Sequence, residues 1–534
     1  SKMGLDKQVF ISSVGTDSLY EPDERLIHDR MLRLYKLRAK DIPKWKKSAV
    51  NRLLKKYKEE LTEILDSKVG KGLVRELNKD AVCDKTTISL FESALTRACG
   101  IKTNEKSDKL FQIEFFFYQV MNDLIFNGFN YNGKHYVYFS SSAGSIRKHR
   151  GLFIEEELYR QIQPKLTCGL TPEHVNATGG CVINKWLSYN SLSSSATDIW
   201  EDFDIDKTIV CDDKEIDVWG DMDYISDTDY SITRKYTSVS IPLNDGVGMM
   251  LPKCGPSRVC RLPFVKGALV AFDFRRFLLE KCAPEQYVVK DIYGTEHNVI
   301  EEDIQVIFTK SQTKMWAHFD SWKQYQENFK EYGCEAGYCN VEQETVSKAK
   351  INYQMLNSLH DMTDDEIDSF IKQTVEEIES IGNDYQTTMK VLGANKENEK
   401  MNSFQKAITL YPELFKDPYS KEILKQTKKS YVKQAKAGRI RINSLYRLAA
   451  PDLYAYCEWL FQGIDDPQGL LKPGEVAISE YKDGEELDVL RSPHLYFEHC
   501  LRTNNQNEEV KKWFDTKCIY TASHDNISRI LALD

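Results

Sequence analysis

At 534 residues, 41% hydrophobic and 29% charged, the chain exceeds what one small core supports, implies roughly two to four domains and excludes a disordered or low-complexity protein. A formal net charge of −9 excludes a uniformly basic strand-coating protein and leaves room only for local basic surfaces. The charge is uneven: residues 45–71 and 421–447 are rich in lysine and arginine, whereas 301–303 and 361–379 are acidic.

The 13 cysteines are scattered and include no Cys-x-x-Cys pair, so reduced thiols are expected and not a zinc ribbon or a disulfide framework. No apolar run in the sequence approaches the ~20 residues that span a bilayer, so no membrane partner is expected. Ser1-Lys2-Met3 reads as a tag remnant before an initiator methionine and not as a signal peptide.

In chain order, Leu53, Leu54, Tyr57, Leu61 and Ile64 recur at helical spacing, so residues 20–70 are read as helices. Their lysine-rich face, with Lys55, Lys56 and Lys58, is either simply solvated or strand-guiding. Residues 111–128 are strongly apolar and are expected to be helical; a strand at 135–140 follows the Asn132-Gly133 turn. Between 200 and 310, short strands at 238–242, 270–272, 287–289 and 304–308 alternate with turns, a pattern of a small barrel and not of a βαβ array. Residues 323–461 are mainly helical and polar, with Ile351, Met355, Leu356 and Leu359 on one face. From 462 onward, turns at Asp465-Asp466-Pro467, Lys472-Pro473-Gly474 and Lys482-Asp483-Gly484 punctuate short strands. The expectation is an α+β, multi-domain chain. It comprises an N-terminal helical module (1–105), a mixed lead-in (106–200), a first barrel region carrying lysines (201–322), a helical insertion (323–460) and a second barrel region (461–534).

Five segments suggest chemistry. NDGVGMM at 244–250 sets two glycines around one apolar residue, a turn where backbone approaches something closely, though an ordinary hairpin reads the same way. RLPFVKGALV at 261–270 places Lys266 before a glycine at a strand entrance. TKSQTKMW at 309–316 places Lys310 and Lys314 on either side of polar residues. Cations converging on a cleft offset charge on a transferring phosphoryl group, but surface lysines are common. LRSPHL at 490–495 sets Arg491 against a proline-fixed turn, where its planar fork suits a ribose, a phosphate, a carboxylate or a stiffening ion pair. ISRILALD at 527–534 reads as an apolar strand delivering the Asp534 carboxylate at its tip.

Taken together and in this order, these blocks resemble the catalytic region of the cellular RNA-dependent RNA polymerases and their single-chain phage and prophage RNA polymerase relatives, from about residue 111 to 534. FNGFNYNGKHYVYFSSSAGSIRKHRGLFI (126–154), NKWLSYNSLSSSA (184–196), INYQMLNSLHDMTDDEI (351–367) and DDPQGLLKPGEVAI (465–478) follow the same family order. The resemblance implies two double-psi β-barrels embedded in helical modules, with Lys266 and Lys314 as catalytic lysines from the first. It places Arg491 at the ribose of the incoming nucleotide and makes Asp534 the first of three aspartates that hold Mg²⁺; His494 either neighbours the triphosphate, holds the arginine turn or simply packs. The other two aspartates have no counterpart in this sequence, so the remaining ligands are expected elsewhere in the polymerase and the sequence by itself is expected to be inactive.

The implied activity is template-directed RNA synthesis from nucleoside triphosphates, expected to be DNA-directed. An RNA-directed polymerase, a primase of a mobile element and a catalytically incomplete nucleic-acid-binding scaffold are the alternatives. Lys310, Lys433, Lys436, Arg439 and Arg441 are the expected contacts to a DNA or RNA template and the RNA product. A cytoplasmic location, in a bacterial cell or phage-infected host, is expected, with the chain monomeric or paired with the remainder of the polymerase.

Overall fold

The computed structural model describes residues 7–342, 350–351, 353–395, 401–491 and 499–532. The N-terminal part is built on a seven-stranded sheet. Its strands run Arg75–Glu76, Phe129–Tyr131, Lys134–Ser140, Arg150–Glu155, Lys106–Glu114, Gln8–Gly15 and Thr87–Phe91 from edge to edge. Helices Pro22–Arg38 and Lys44–Lys68, the pair expected over 20–70, bury Ile27, Met31, Leu54, Leu61 and Leu65 in the same core as Phe111, Phe129, Tyr136 and Phe153. The first helix starts at a proline, and Glu24 accepts the Glu21 N–H at 2.8 Å. Both Glu24 oxygens also accept from Arg75, which is fully buried and bonded to Asp123 at 3.0 Å, and Lys68 Nζ lies 3.2 Å from Glu24, so the buried guanidinium is charge-paired where it could not be buried alone.

The helix expected over 111–128 is divided. Lys106–Glu114 is a strand, and the helix spans only Tyr118–Asn127. The apolar run is ambiguous by itself, and Lys106–Glu114 is claimed by hydrogen-bonded neighbours on both sides, Gln8–Gly15 and Arg150–Glu155.

A second seven-stranded sheet runs Asp198–Ile199, Gly337–Cys339, Arg258–Leu262, Val265–Ala271, Val247–Met250, Val306–Thr309 and Thr208–Cys211. A five-stranded sheet follows the insertion, in the order Ala449–Pro451, Ile519–Thr521, Glu475–Ala477, Cys500–Asn504 and Glu486–Val489. The two share one core: Ile209, Met249, Val270, Phe272, Phe277 and Ile307 pack with Leu453, Tyr456, Trp513 and Tyr520. The insertion carries helices Asp364–Ser380 and Pro418–Lys436, and of the expected apolar face Ile351, Met355 and Leu356 join one core cluster whereas Leu359 does not. The architecture is therefore mixed α+β and multi-domain. Among the described residues no sheet closes into a barrel.

One further feature departs from the sequence reading. ISRILALD is not a strand: a helix spans Asn526–Ala532. At its start the Asp525 carboxylate accepts the Ser528 N–H at 3.1 Å. Asp534 lies outside the described residues. The strand expected at 238–242 is the end of a long hairpin, Glu215–Ile225 paired with Ile232–Pro242. On one of its faces the exposed Trp219 and Tyr236 rings stack at 5.9 Å among Asp217, Asp221 and Asp223.

Candidate functional site

Three of the sequence motifs meet in the second sheet. The Val247–Met250 strand of NDGVGMM lies between Val265–Ala271, its parallel neighbour, and Val306–Thr309, its antiparallel one. Glycines make this contact possible. At Gly248 a Cβ would stand 2.5 Å from both the Ile307 carbonyl oxygen and Gln312 Oε1. At Gly267, where φ is +150°, a Cβ would run into the Gly246 carbonyl oxygen and stand 2.6 Å from Gln312 Nε2. Gln312, fully buried, fills the space thus kept open: its Oε1 accepts the Thr309 N–H at 3.0 Å and its Nε2 donates to the Ala268 carbonyl at 2.9 Å.

The lysines follow from that frame. Val265 and Thr313 form an antiparallel bridge, and the Lys314 N–H donates to the Phe264 carbonyl at 2.8 Å. Lys266 and Lys314 are thus each one residue from the same bridge, although they are 48 positions apart in sequence (314 − 266). Lys314 Nζ donates to the Ser311 carbonyl. Lys310 pairs with Asp212 at 3.1 Å and lies over the Trp316 ring, 4.8 Å from its centroid.

Sequence reading missed the groups beneath these lysines. Ser311 donates its N–H and its O–H to the two oxygens of Asp213, at 2.8 and 2.6 Å, while its Oγ accepts the Gly246 N–H at 2.9 Å. Burial raises the Asp213 carboxyl above the ordinary carboxylate range against the lowering effect of the Ser311 bonds, and the nearby Asp245 charge raises it further. Tyr456, fully buried on the helix Leu453–Gln462, donates its O–H to the Asp212 carbonyl at 2.8 Å, tying the later module to this loop. No spacing rule marks Asp213, since its partner lies 98 positions away.

The remaining expected residues lie apart from this frame or outside the description. Arg491 follows the Glu486–Val489 strand, next to Leu490, which packs on the Ile351–Met355–Ile440 cluster of the insertion. His494 and Asp534 lie outside the described residues. Lys433, Lys436 and Arg439 are exposed at or just past the end of Pro418–Lys436. Arg441 differs: it holds Glu377 through Nε at 2.7 Å and Nη2 at 3.0 Å, and its N–H donates to Thr374 Oγ1. Among the described residues no group of three or more His, Cys, Asp or Glu side chains could hold a metal ion. No helix among them is long and apolar enough to cross a membrane.

The chain is mixed α+β, with glycine-gated, lysine-bearing strands and a further sheet sharing their core. The chain belongs to the RNA-dependent RNA polymerase family: that family's pattern, described as RNA dependent RNA polymerase, matches residues 42–498. Among its relatives is the DNA-directed RNA polymerase YonO of Bacillus phage SPbeta, 44% identical over 540 aligned residues that take in 100% of this chain and 63% of the relative. The chain thus spans less than two thirds of that protein's length.

Proposed function

We propose that this chain is part of an enzyme of template-directed RNA synthesis that joins nucleoside triphosphates 5′ to 3′ with loss of pyrophosphate, on a DNA template. The observation that carries the reading is the convergence of 244–250, 261–270 and 309–316, which brings Lys266 and Lys314 to the two sides of one backbone bridge. Two lysines whose backbones are fixed side by side in this way can neutralise phosphate charge as it develops. The DNA template is taken from the name of the YonO relative. An RNA template is the second reading, favoured by the description of the matched family.

In this proposal the second and third sheets correspond to the two double-psi β-barrels, carried mainly by 201–322 and 461–534, with 323–460 as the mainly helical insertion between them and 1–105 and 106–200 joined in one N-terminal α/β lead-in. Arg491 faces the ribose and His494 lies beside the triphosphate. Lys310, Lys433, Lys436 and Arg439 contact the template and RNA product. Arg441 supports them from its ion pair with Glu377. Mg²⁺ is the cofactor this reading calls for, with Asp534 as one ligand; the described residues alone do not make that site, and what they supply is phosphate neutralisation. The reading also places the chain in the cytoplasm.

Run-off assays of the full-length protein on matched DNA and RNA templates, with and without primer, test the proposal. Lys266→Ala and Lys314→Ala are each expected to lower nucleotide incorporation on the order of 10²-fold, the effect of losing one preorganised donor to a developing anion. Arg491→Ala is expected to reduce the preference for ribonucleotides. Undiminished incorporation by both lysine variants would remove the catalytic reading and leave a nucleic-acid-binding scaffold; synthesis on RNA alone would select the second reading.

A further inference from the structure

The loop after Thr208–Cys211 contributes the Asp213 carboxylate, which bears on two motifs at once through Ser311. Both oxygens of Asp213 are engaged by Ser311, one by the N–H at 2.8 Å and the other by the O–H at 2.6 Å. The same serine accepts the Gly246 N–H through Oγ, which fixes the glycine turn of 244–250, and accepts Lys314 Nζ through its carbonyl. A displacement of Ser311 therefore moves the seat of the Lys314 ammonium and the Gly246 turn together. Two acceptor oxygens on one planar group are required, because an N–H and an O–H donor must be met side by side. An amide offers one acceptor and one N–H on that edge, so the serine hydroxyl would have to reverse from donor to acceptor. The neighbouring Asp212 neutralises Lys310 and, through its carbonyl, is anchored by Tyr456, so the loop that carries Asp213 is itself held from the later module.

We propose that Asp213 is a positioning residue for Lys314, acting through Ser311 to set the place of the ammonium that faces the nucleotide phosphates. The proposal rests on the polymerase reading only for what Lys314 does; that Asp213 sets its place is a separate statement and can be measured separately. A carboxylate near phosphates would otherwise repel them, and here both of its oxygens are taken up by Ser311.

The test uses full-length protein as wild type, Asp213→Asn and Ser311→Ala, with thermal unfolding as a check that each folds. The Lys314 acetylation rate under limiting N-hydroxysuccinimide acetate is measured by peptide mass spectrometry, with the exposed Lys253 as internal control. In both variants Lys314 is expected to be modified several-fold faster while Lys253 is unchanged. Steady-state incorporation is expected to lose kcat on the order of tenfold with KM for the nucleotide nearly unchanged, as small misplacements of a catalytic group do. Equal Lys314 modification rates in wild type and either folded variant overturn the proposal; if one variant does not fold, the other decides. If Lys314→Ala incorporates nucleotides normally, the catalytic role of the lysine falls, while the modification rates still decide whether Asp213 positions it.

Discussion

Replacing Gly267 with alanine perturbs the point where the three motifs interlock, and Gly246 supplies a matched comparison. Gly267 has φ +150°, and its Cβ would meet the Gly246 carbonyl oxygen, which already accepts the Ala268 N–H at 2.9 Å. The strained backbone costs about 1–3 kcal/mol. Displacing Gly246 or Gln312 loosens at least one of the bonds between the strands, a further ~1 kcal/mol. Gly246 also has positive φ, +68°, but a Cβ there would have nothing within 4 Å, so Gly246→Ala carries only the left-handed penalty of ~1–2 kcal/mol. Hydrogen exchange of peptides covering 265–271 is the direct assay, because local opening is read there without assuming that a multi-domain chain unfolds in one step. Gly267→Ala is expected to exchange on the order of tenfold to 10²-fold faster than Gly246→Ala, and incorporation should fall with it. Equal exchange in the two variants would refute the argument that close approach, and not turn geometry alone, requires glycine at 267.

Asp452 is fully buried, and burial pushes its carboxyl up to about 6 although the N–H groups of Ala455, Leu470 and Leu471 favour the charged form. Because the folded value exceeds the unfolded one near 3.9, its contribution to stability is fully present below about pH 4 and is lost as pH rises through about 6. Urea midpoints of wild type minus Asp452→Asn should therefore fall across that window, and a pH-independent difference would contradict the assignment. Arg441→Ala should lower the thermal stability of the insertion by a few degrees, since it leaves the Glu377 carboxylate without its part-buried partner. Lys433→Ala/Lys436→Ala should leave stability unchanged and reduce the slope of log affinity for duplex DNA against log salt by about 2. Filter-binding titrations in a salt series, set beside thermal unfolding, check both, and a reversal of the two patterns would exchange the roles.

Local chemistry was legible in the sequence wherever a residue's function depends on its neighbours. The helices at Pro22–Arg38 and Lys44–Lys68 show their periodicity, the strand Lys134–Ser140 follows its Asn-Gly turn, and Lys266, Lys310 and Lys314 stand in recognisable polar contexts. The collinear order of the motifs also suffices for the family, because order along a chain survives without any knowledge of packing. Readings that depended on an apolar run alone went astray. Residues 111–114 became a strand through ladder bonds on both sides, and 527–532 became a helix started at Asp525, since a short run fits either period until its partners are known.

Tertiary structure alone decided which pieces meet. Asp213 and Ser311 lie 98 positions apart, and Tyr456 reaches Asp212 from 244 positions away, separations at which no spacing rule operates. The pairing of Arg441 with Glu377, which distinguishes it from the exposed Lys433 and Lys436, is likewise set by the packing of the segment after Pro418–Lys436 on the helix Asp364–Ser380. A sequence specifies donors, acceptors and the glycines that let backbones approach; only the folded chain selects which donor faces which acceptor, because that choice is made by the shared core that brings distant strands to a few ångströms of one another.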